Sequence, residues 1–335
     1  MMEKFMKRGI IRQRGITLIA LVITIIVLLI LAGVTIAALS GDNGILTRAA
    51  ESKNRTEEAQ EKEGLELAVT SSQMEDVNTL EIDKEKLENA IKQQFGNNKD
   101  FSVTDNKDGS FLVNMNDTQR MYYIDETGEI IEQSKMLKIS TADELKAFRD
   151  DVNSDNTYEG WYVYLTNNIT LDVNEEWKPI GEYISLTDDK NKAFRGIFDG
   201  CGYEIDGIKT NKDATELFDF VDNGKIMNLG IGENNNIIIV QILANNSKLV
   251  NCYNKADIIV GGYRGGLVGS CILNSTIQKC YNLGNISISD SQEVIGGICG
   301  ELITGSRIYN CFNEGNINVN NTSSNMIGGN SGNCW

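Results

Sequence analysis

The chain has 335 residues, of which 31 are Lys or Arg and 47 are Asp or Glu, so its formal net charge at neutral pH is −16. An acidic surface repels polyphosphates, which argues against nucleic acid as a partner. The sequence contains no histidine, and this excludes His-dependent catalytic triads and His metal sites. We therefore expect no metal and no other cofactor.

The N-terminal part joins a basic stretch to a long uncharged run. Five basic residues and one acidic residue precede Gly15, and no charged residue occurs over residues 16–39, a run of 24 residues. A helix of that length spans about 36 Å, enough to cross a hydrocarbon core of about 30 Å. Basic flanks stay on the cytoplasmic side of a membrane. The pattern predicts one transmembrane helix, with a cytoplasmic N-terminus and extracellular later domains.

Other interpretations compete for the same run. A secretory signal peptide has a shorter apolar region and a small-residue cleavage site, and this sequence has neither. A buried core helix is disfavoured because no polar residue marks a solvent face. A signal anchor that is never cut remains an alternative.

Residues 14–19, with the sequence RGITLI, resemble the N-terminal segment of type IV prepilins and pseudopilins, and the resemblance covers about the first 70 residues. It implies that a prepilin peptidase cuts the leader 1–15 after Gly15 and that Ile16 becomes a methylated N-terminus. It also implies pilus or secretion assembly machinery and other pilin-like subunits as partners. Most pilins carry Glu at the fifth mature position, where this chain has Ala20. This departure implies a minor or atypical subunit.

Residues 40–135 are predicted to form a pilin-like α+β domain with a stalk helix and an antiparallel meander. The tetrapeptide Gly41-Asp42-Asn43-Gly44 is a strong helix breaker. Helical patterns follow over residues 45–69 and 80–95. Short β segments are predicted over residues 101–104, 111–115, 121–125 and 129–132, because Gly-containing turns separate alternating apolar runs.

All seven cysteines lie after residue 200, and none belongs to a C-x-x-C pair. An odd number argues against a complete set of disulfides, so we expect most of them to be reduced core residues. They are Cys201, Cys252, Cys271, Cys280, Cys299, Cys311 and Cys334.

The C-terminal part, residues 137–335, contains an internal repeat made of two boxes. The first box is a triplet of cysteine, aromatic residue and asparagine, and it occurs at Cys252, Cys280 and Cys311, with a diverged copy at Leu229. The second box has paired glycines, at Gly265, Gly266 and Gly269, then Gly296, Gly297 and Gly300, then Gly328 and Gly329. The distance from Gly266 to Cys280 and from Gly297 to Cys311 is 14 residues, whereas the distances from each cysteine to the next glycine pair are 14, 17 and 18.

One fixed and one variable spacing are typical of a solenoid whose insertions collect at one corner. Coils of about 28 to 32 residues fit a parallel β-solenoid, in which equivalent residues stack about 4.8 Å apart. We predict a stacked apolar file at Leu229, Cys252, Cys280 and Cys311, and a file of turn asparagines at Asn254, Asn282 and Asn313. Thr141 and Glu144 match a capping box that would open a helix over the first coil.

These boxes resemble the GLUG repeat of bacterial surface proteins over about residues 137–335, and the resemblance implies a right-handed parallel β-helix. Some β-helices are polysaccharide lyases, whose sites need clustered carboxylates or a positioned base. The acidic residues of the repeats do not recur at one phase, and Asp199 and Asp206 are interpreted as turn formers. We therefore expect no enzymatic activity.

The leading hypothesis is a pilin-like bacterial cell-surface protein that displays a β-helix adhesion module for a host, cell-wall or carbohydrate ligand. The alternatives are a pseudopilin-like component of a secretion machine and an uncut, membrane-anchored binding protein. The file position that follows Gly329 would be numbered 343, beyond Trp335. We therefore expect an unfinished last coil, whose open edge pairs with further chain or with a partner.

Overall fold

The computed structural model describes residues 22–29, 45–74, 82–96, 99–107, 109–208, 215–260, 263–288, 294–318, 326–329 and 331–334. The chain divides into two compact units, residues 1–67 and residues 68–335.

The predicted transmembrane helix is wrong. Within the run 16–39 the described helix covers only residues 22–29, whose side chains are exposed, and eight helical residues rise only about 12 Å. No helix in the described ranges is long and apolar enough to cross a membrane. The membrane-helix part of the fold class and the single-pass localisation that followed from it are therefore corrected. Gly15, Ile16 and Ala20 lie outside the described residues.

Three α-helices have sequence signals at their ends. They are α1 (Ile45–Met74), α2 (Lys84–Phe95) and α3 (Ala142–Val152), and a short 3-10 helix spans Gln133–Lys135. Helix α2 begins after Asp83, whose carboxylate accepts from two backbone N–H groups of the first turn, and ends at Gly96 with φ of 87°. The predicted capping box of α3 is confirmed, because Thr141 and Glu144 each bond the other's backbone N–H.

The described part of the chain contains strands β1 to β28. In chain order they are β1 (Phe101–Asp105), β2 (Phe111–Met115), β3 (Arg120–Ile124), β4 (Ile130–Glu132), β5 (Met136–Ile139), β6 (Tyr162–Leu165), β7 (Ile169–Thr170), β8 (Ile197–Asp199), β9 (Glu204–Asp206), β10 (Thr215–Asp222), β11 (Lys225–Met227), β12 (Gly230–Ile231), β13 (Ile237–Ala244), β14 (Lys248–Val250), β15 (Tyr253–Asn254), β16 (Ile258–Val260), β17 (Tyr263–Gly265), β18 (Val268–Cys271), β19 (Thr276–Gln278), β20 (Tyr281–Asn282), β21 (Ile286–Ile288), β22 (Val294–Gly296), β23 (Cys299–Leu302), β24 (Arg307–Tyr309), β25 (Phe312–Asn313), β26 (Ile317–Asn318), β27 (Met326–Gly328) and β28 (Ser331–Cys334).

Strands β1 to β4 form an antiparallel sheet in sequence order, here called the meander. Strand β2 alternates between buried and half-buried side chains, as expected for a sheet with one covered face. The turn before β4 is fixed by Asp125, whose carboxylate accepts from the backbone N–H groups of Thr127 and Glu129.

The strands from β5 onward form parallel sheets that are compatible with the predicted β-solenoid. The first sheet has the order β24-β19-β14-β11-β8-β6-β5, the second β25-β20-β15-β12-β9-β7, and the third β10-β13-β18-β23-β28. Two three-stranded sheets, β16-β21-β26 and β17-β22-β27, line one corner. Each coil supplies one strand to each of the three main sheets, so a residue pairs with its equivalent in the next coil.

The variable spacing of the repeat is located at that corner. The connection between its two strands has two residues from β16 to β17, five from β21 to β22 and seven from β26 to β27. The three main sheets keep their register despite these differences, as in Val268 paired with Cys299 and then Ser331. Length changes are therefore confined to one edge of the coil.

The solenoid core lies between the three main sheets and is covered at its first coil by α3. Leu145, Phe148 and Val152 of α3 belong to the same buried cluster as Phe198 and Phe218. This cluster continues through the later coils into the strands of the repeats. The core is therefore continuous along the stacked coils.

The meander packs on the outer side of the first sheet. The ring of Tyr123 stacks on Tyr162 with centroids 4.6 Å apart, and both side chains are fully buried together with Met227 and Val250. Above this apolar contact, the Glu126 carboxylate forms ion pairs with Lys225 and Lys248. The meander and the solenoid therefore share a packed interface.

Candidate functional site

The outer side of the second sheet carries one equivalent position per coil. In register, this position holds Glu204 in β9, Gly230 in β12, Tyr253 in β15, Tyr281 in β20 and Phe312 in β25. The asparagines that follow the aromatic residues point inward, because side chains alternate along a strand. We call Tyr253, Tyr281 and Phe312 the aromatic file.

The rings of the aromatic file are nearly parallel. The centroids of Tyr253 and Tyr281 are 5.2 Å apart with an interplanar angle of 9°, and those of Tyr281 and Phe312 are 5.1 Å apart with an angle of 3°. These separations follow the spacing of neighbouring strands, about 4.8 Å. Phe312 is 47% exposed. The file therefore presents a continuous apolar strip to solvent along the solenoid axis.

Gly230 provides the space that fixes the first ring. A Cβ atom at Gly230 would lie 2.4 Å from Cζ of Tyr253 and 2.6 Å from its hydroxyl oxygen. The Tyr253 side chain therefore crosses β12 and its hydroxyl donates to Oε1 of Glu204 at 2.7 Å. Only glycine allows this crossing, so the sequence of β12 sets the direction of the ring.

Charged groups surround this end of the aromatic file. The Lys255 ammonium donates to Oε1 of Glu204 and lies 5.3 Å from the Tyr253 ring centroid. The hydrogen bonds from Lys255 and then Tyr253 lower the pKa of Glu204, and the bond to Glu204 raises the pKa of Lys255. Burial, and then the Glu204 carboxylate, raise the pKa of the Tyr253 hydroxyl. At neutral pH the site therefore presents a carboxylate, an ammonium group and a neutral hydroxyl.

A second apolar residue widens the strip. Leu283 lies two residues after Tyr281 and is 37% exposed, so alternation places it on the same side of the sheet. Ring surface, an aliphatic side chain and hydrogen-bonding groups together suit non-covalent binding. Among the described residues, no group of three His, Cys, Asp or Glu side chains could hold a metal ion.

The predicted cysteine file lies between the first and second sheets. Leu229, Cys252 and Cys280 are fully buried and Cys311 is half-buried, and the backbone N–H of each of Cys252 and Cys280 lies 3.4 Å from Sγ of the next cysteine in the file. Burial raises the pKa of the Cys280 thiol well above its usual value. The thiol therefore stays protonated and is a poor nucleophile.

The repeat glycines and the asparagine file form one packed arrangement. A Cβ atom at Gly266 would lie 2.4 Å from the carbonyl oxygen of Gly297 and 2.5 Å from Cγ of Asn282. A Cβ atom at Gly297 would lie 2.2 Å from the carbonyl oxygen of Gly329 and 2.6 Å from Cβ of Asn313. The second glycine of each pair therefore allows close approach of two coils and of the buried asparagine.

The remaining repeat glycines also lie at close contacts or at register positions. A Cβ atom at Gly265 would lie 2.5 Å from Cα of Cys299, one at Gly269 would lie 2.4 Å from the Gln241 side chain, and one at Gly300 would lie 2.4 Å from the Arg264 backbone. Gly296 pairs in register with Gly265 and Gly328. A Cβ atom at Gly329 would have no described atom within 4 Å.

Two structural files were not predicted from the sequence. Asn228, Asn251, Lys279 and Asn310 adopt the left-handed conformation with φ between 50° and 55°, each directly before a member of the cysteine file. Ser247, Ser275 and Ser306 form a second file, because the backbone N–H of one serine donates to Oγ of the next at 3.1 Å. The signal was available, since each serine precedes a file cysteine by five residues.

Asp199 has a larger role than turn formation. It is almost fully buried, and its carboxylate accepts from the Tyr162 hydroxyl at 2.7 Å, the Cys201 backbone N–H at 2.7 Å and the Asn228 side chain at 3.1 Å. Burial raises its pKa despite these bonds. Asp199 therefore anchors the first turn of the solenoid to β6.

Comparisons with known proteins give little further information. No protein-family model matches the chain, and a search of curated proteins finds no relative. A solved structure described as a putative immunoglobulin A1 protease from Bacteroides ovatus is 23% identical, with a TM-score of 0.45. The similarity covers 55% of this chain and 58% of that one.

Proposed function

We propose that this chain is a non-catalytic binding protein whose β-solenoid binds an extended polysaccharide along the aromatic file. The observation that carries the proposal is the row of parallel rings at one position of successive coils, ending at the exposed Phe312. In a protein whose apolar side chains are otherwise packed between sheets, an exposed apolar strip with polar neighbours marks a binding surface.

The chemistry of the site favours a sugar polymer over an apolar ligand. Sugar rings combine apolar C–H faces with hydroxyl groups, and the site pairs aromatic and aliphatic surface with the Glu204 carboxylate, the Lys255 ammonium and the Tyr253 hydroxyl. One ring per coil gives the surface a repeat along its length, which suits a ligand that also repeats. The acidic net charge of −16 favours neutral or basic polymers over strongly anionic ones.

The test compares binding to a panel of soluble polysaccharides by affinity electrophoresis and calorimetry. The double variant Tyr281→Ala with Phe312→Ala should weaken binding of the retained polymer at least about tenfold, which corresponds to about 1.4 kcal/mol. Tyr309→Ala is the matched control, because Tyr309 is 45% exposed on the neighbouring strand of the same coil but lies outside the aromatic file.

The control should bind like the unsubstituted chain, and circular dichroism should show the same β content in both variants. Equal weakening by both variants, or no retention of the unsubstituted chain on any polymer, would refute polysaccharide binding at this site.

A further inference from the structure

The first sheet ends at β5, which pairs in parallel with β6 on one side. Among the described strands, none pairs with the other side of β5. A free strand edge is a template for another extended chain, and proteins usually cover or charge such edges. The edge of β5 is instead bordered by α3 across a cleft of about 370 Å³.

The direction of the backbone groups on β5 can be deduced. The carbonyl oxygen of Ile139 accepts from the backbone N–H of Thr166 at 3.0 Å, so Ile139 faces β6. Neighbouring residues of a strand direct their N–H and C=O groups to opposite edges. The amide groups of Lys138 therefore face the cleft, as does the N–H of Ser140, which donates to Glu144 of α3 at 2.6 Å.

The cleft has an apolar floor and a rim that is mainly acidic. Ile139, Phe148 and Tyr158 line the floor and are buried. The carboxylates of Glu144 and Asp151 lie on the α3 side, opposite the single ammonium group of Lys138. The lining therefore carries a net negative charge.

Both carboxylates are held in place by the protein. Glu144 accepts from the N–H groups of Ser140 and Thr141. Asp151 accepts from the Tyr158 hydroxyl and from the Asn156 side chain, each at 2.7 Å. A carboxylate that is already oriented offers its remaining lone pairs to a cation at little entropic cost.

We propose that this edge binds an extended, basic peptide segment of another protein, which adds as a strand beside β5. In this arrangement the backbone of the peptide bonds the amide groups of Lys138, an apolar side chain covers Phe148 and Tyr158, and a Lys or Arg side chain reaches the carboxylates of Glu144 and Asp151. The occupant is basic because the cleft is acidic, and it is extended because only a strand satisfies the edge of β5. The site is separate from the aromatic file and does not depend on the proposed function.

The experiment selects ligands from a phage-displayed library of random linear peptides on the full chain. The blocking variant is Ala147→Trp, because Ala147 is exposed on α3 and lines the cleft. The control is Asp150→Trp, an equally bulky change at an exposed position of α3 that does not line the cleft. Circular dichroism checks that both variants keep their helix and sheet content.

Selection should enrich peptides that alternate apolar and basic residues. A synthetic copy should bind the unsubstituted chain and Asp150→Trp equally, and should bind Ala147→Trp at least about tenfold more weakly. Methylation of backbone nitrogens at alternate positions of the peptide should abolish binding in one phase and spare it in the other. Replacing its Lys residues by Met should weaken binding and remove its salt dependence.

Four outcomes would overturn the proposal: no enrichment, equal binding by Ala147→Trp, indifference to backbone methylation, or enrichment of acidic peptides. Self-association of the chain that Ala147→Trp abolishes would assign the edge to a second copy instead, and would also overturn it.

Discussion

At the scale of single residues, the second glycine of each pair has a role that depends on the coil that follows. Gly297 lies against the Gly329 carbonyl and against Asn313, whereas Gly329 has no described atom within 4 Å of a Cβ position. The two residues are equivalent in the repeat but differ in surroundings. This difference supplies a matched pair of substitutions.

Gly297→Ala should destabilise the protein by several kcal/mol, because the added methyl group would separate two coils or displace a buried asparagine. Gly329→Ala should change the free energy of unfolding by less than about 0.5 kcal/mol. Urea unfolding followed by circular dichroism measures both. Similar losses for the two variants would show that the close approach of the coils is not what selects glycine.

Residue-level signals in the sequence were sufficient for some features and insufficient for others. The cysteine file was predicted because a fixed spacing of 14 residues identifies equivalent positions. The direction of Tyr253 was not, because it depends on a gap at Gly230 in the preceding coil. Such a contact joins residues that are adjacent only after the coils have stacked.

At the scale of elements, the meander is held on the solenoid by one carboxylate between two ammonium groups. Burial alone would raise the pKa of Glu126, but the charge of Lys225 and the hydrogen bond from Lys248 outweigh this effect and lower it from 4.5 to about 2. The side chain is 30% exposed, so solvent screening reduces the stabilisation that this shift implies to about 1–2 kcal/mol.

Glu126→Gln should lower the free energy of unfolding by that amount at pH 7, since Lys225 is only 9% exposed and would lose its partner. The folded-state pKa lies below the unfolded one, so the contribution is complete above about pH 4.5 and is lost as the pH falls towards 2. Urea titrations of both proteins across this range measure the difference. A gap that stays constant down to pH 2 would contradict the ion-pair explanation.

Elements with local signals agree with the sequence prediction, whereas their docking does not follow from it. The helix predicted over 80–95 is observed as Lys84–Phe95, and the segment predicted over 111–115 is Phe111–Met115, because caps and hairpin turns act over a few residues. The contact of Glu126 with Lys225 and Lys248 joins positions about 100 residues apart, and no local pattern encodes it. The transmembrane prediction failed because it used hydropathy alone.

At the scale of the whole molecule, each coil of the solenoid contacts its neighbours in the stack, so stability should be distributed coil by coil. Strands β6 and β8 lie at the end covered by α3, and strands β24 to β28 form the last described coil. A local defect should therefore weaken the coils around it more than the distant ones.

Hydrogen exchange with mass spectrometry on Gly297→Ala tests this expectation. Amides of β22, β23, β27 and β28 should lose protection by at least about a factor of ten, whereas those of β6, β8 and β11 should keep theirs. Uniform loss of protection across all coils would show instead that the solenoid unfolds as one cooperative unit.

The corner between β16 and β17, and its equivalents in the next two coils, has a consequence for how such a protein changes over time and how it can be redesigned. Its connections grow from two to five to seven residues while the pairing of the main sheets is maintained. Lengthening a loop costs little free energy, because closure entropy rises only with the logarithm of length. Foreign peptides grafted at this corner should therefore be carried without retuning the scaffold, and natural variation in length should accumulate there first.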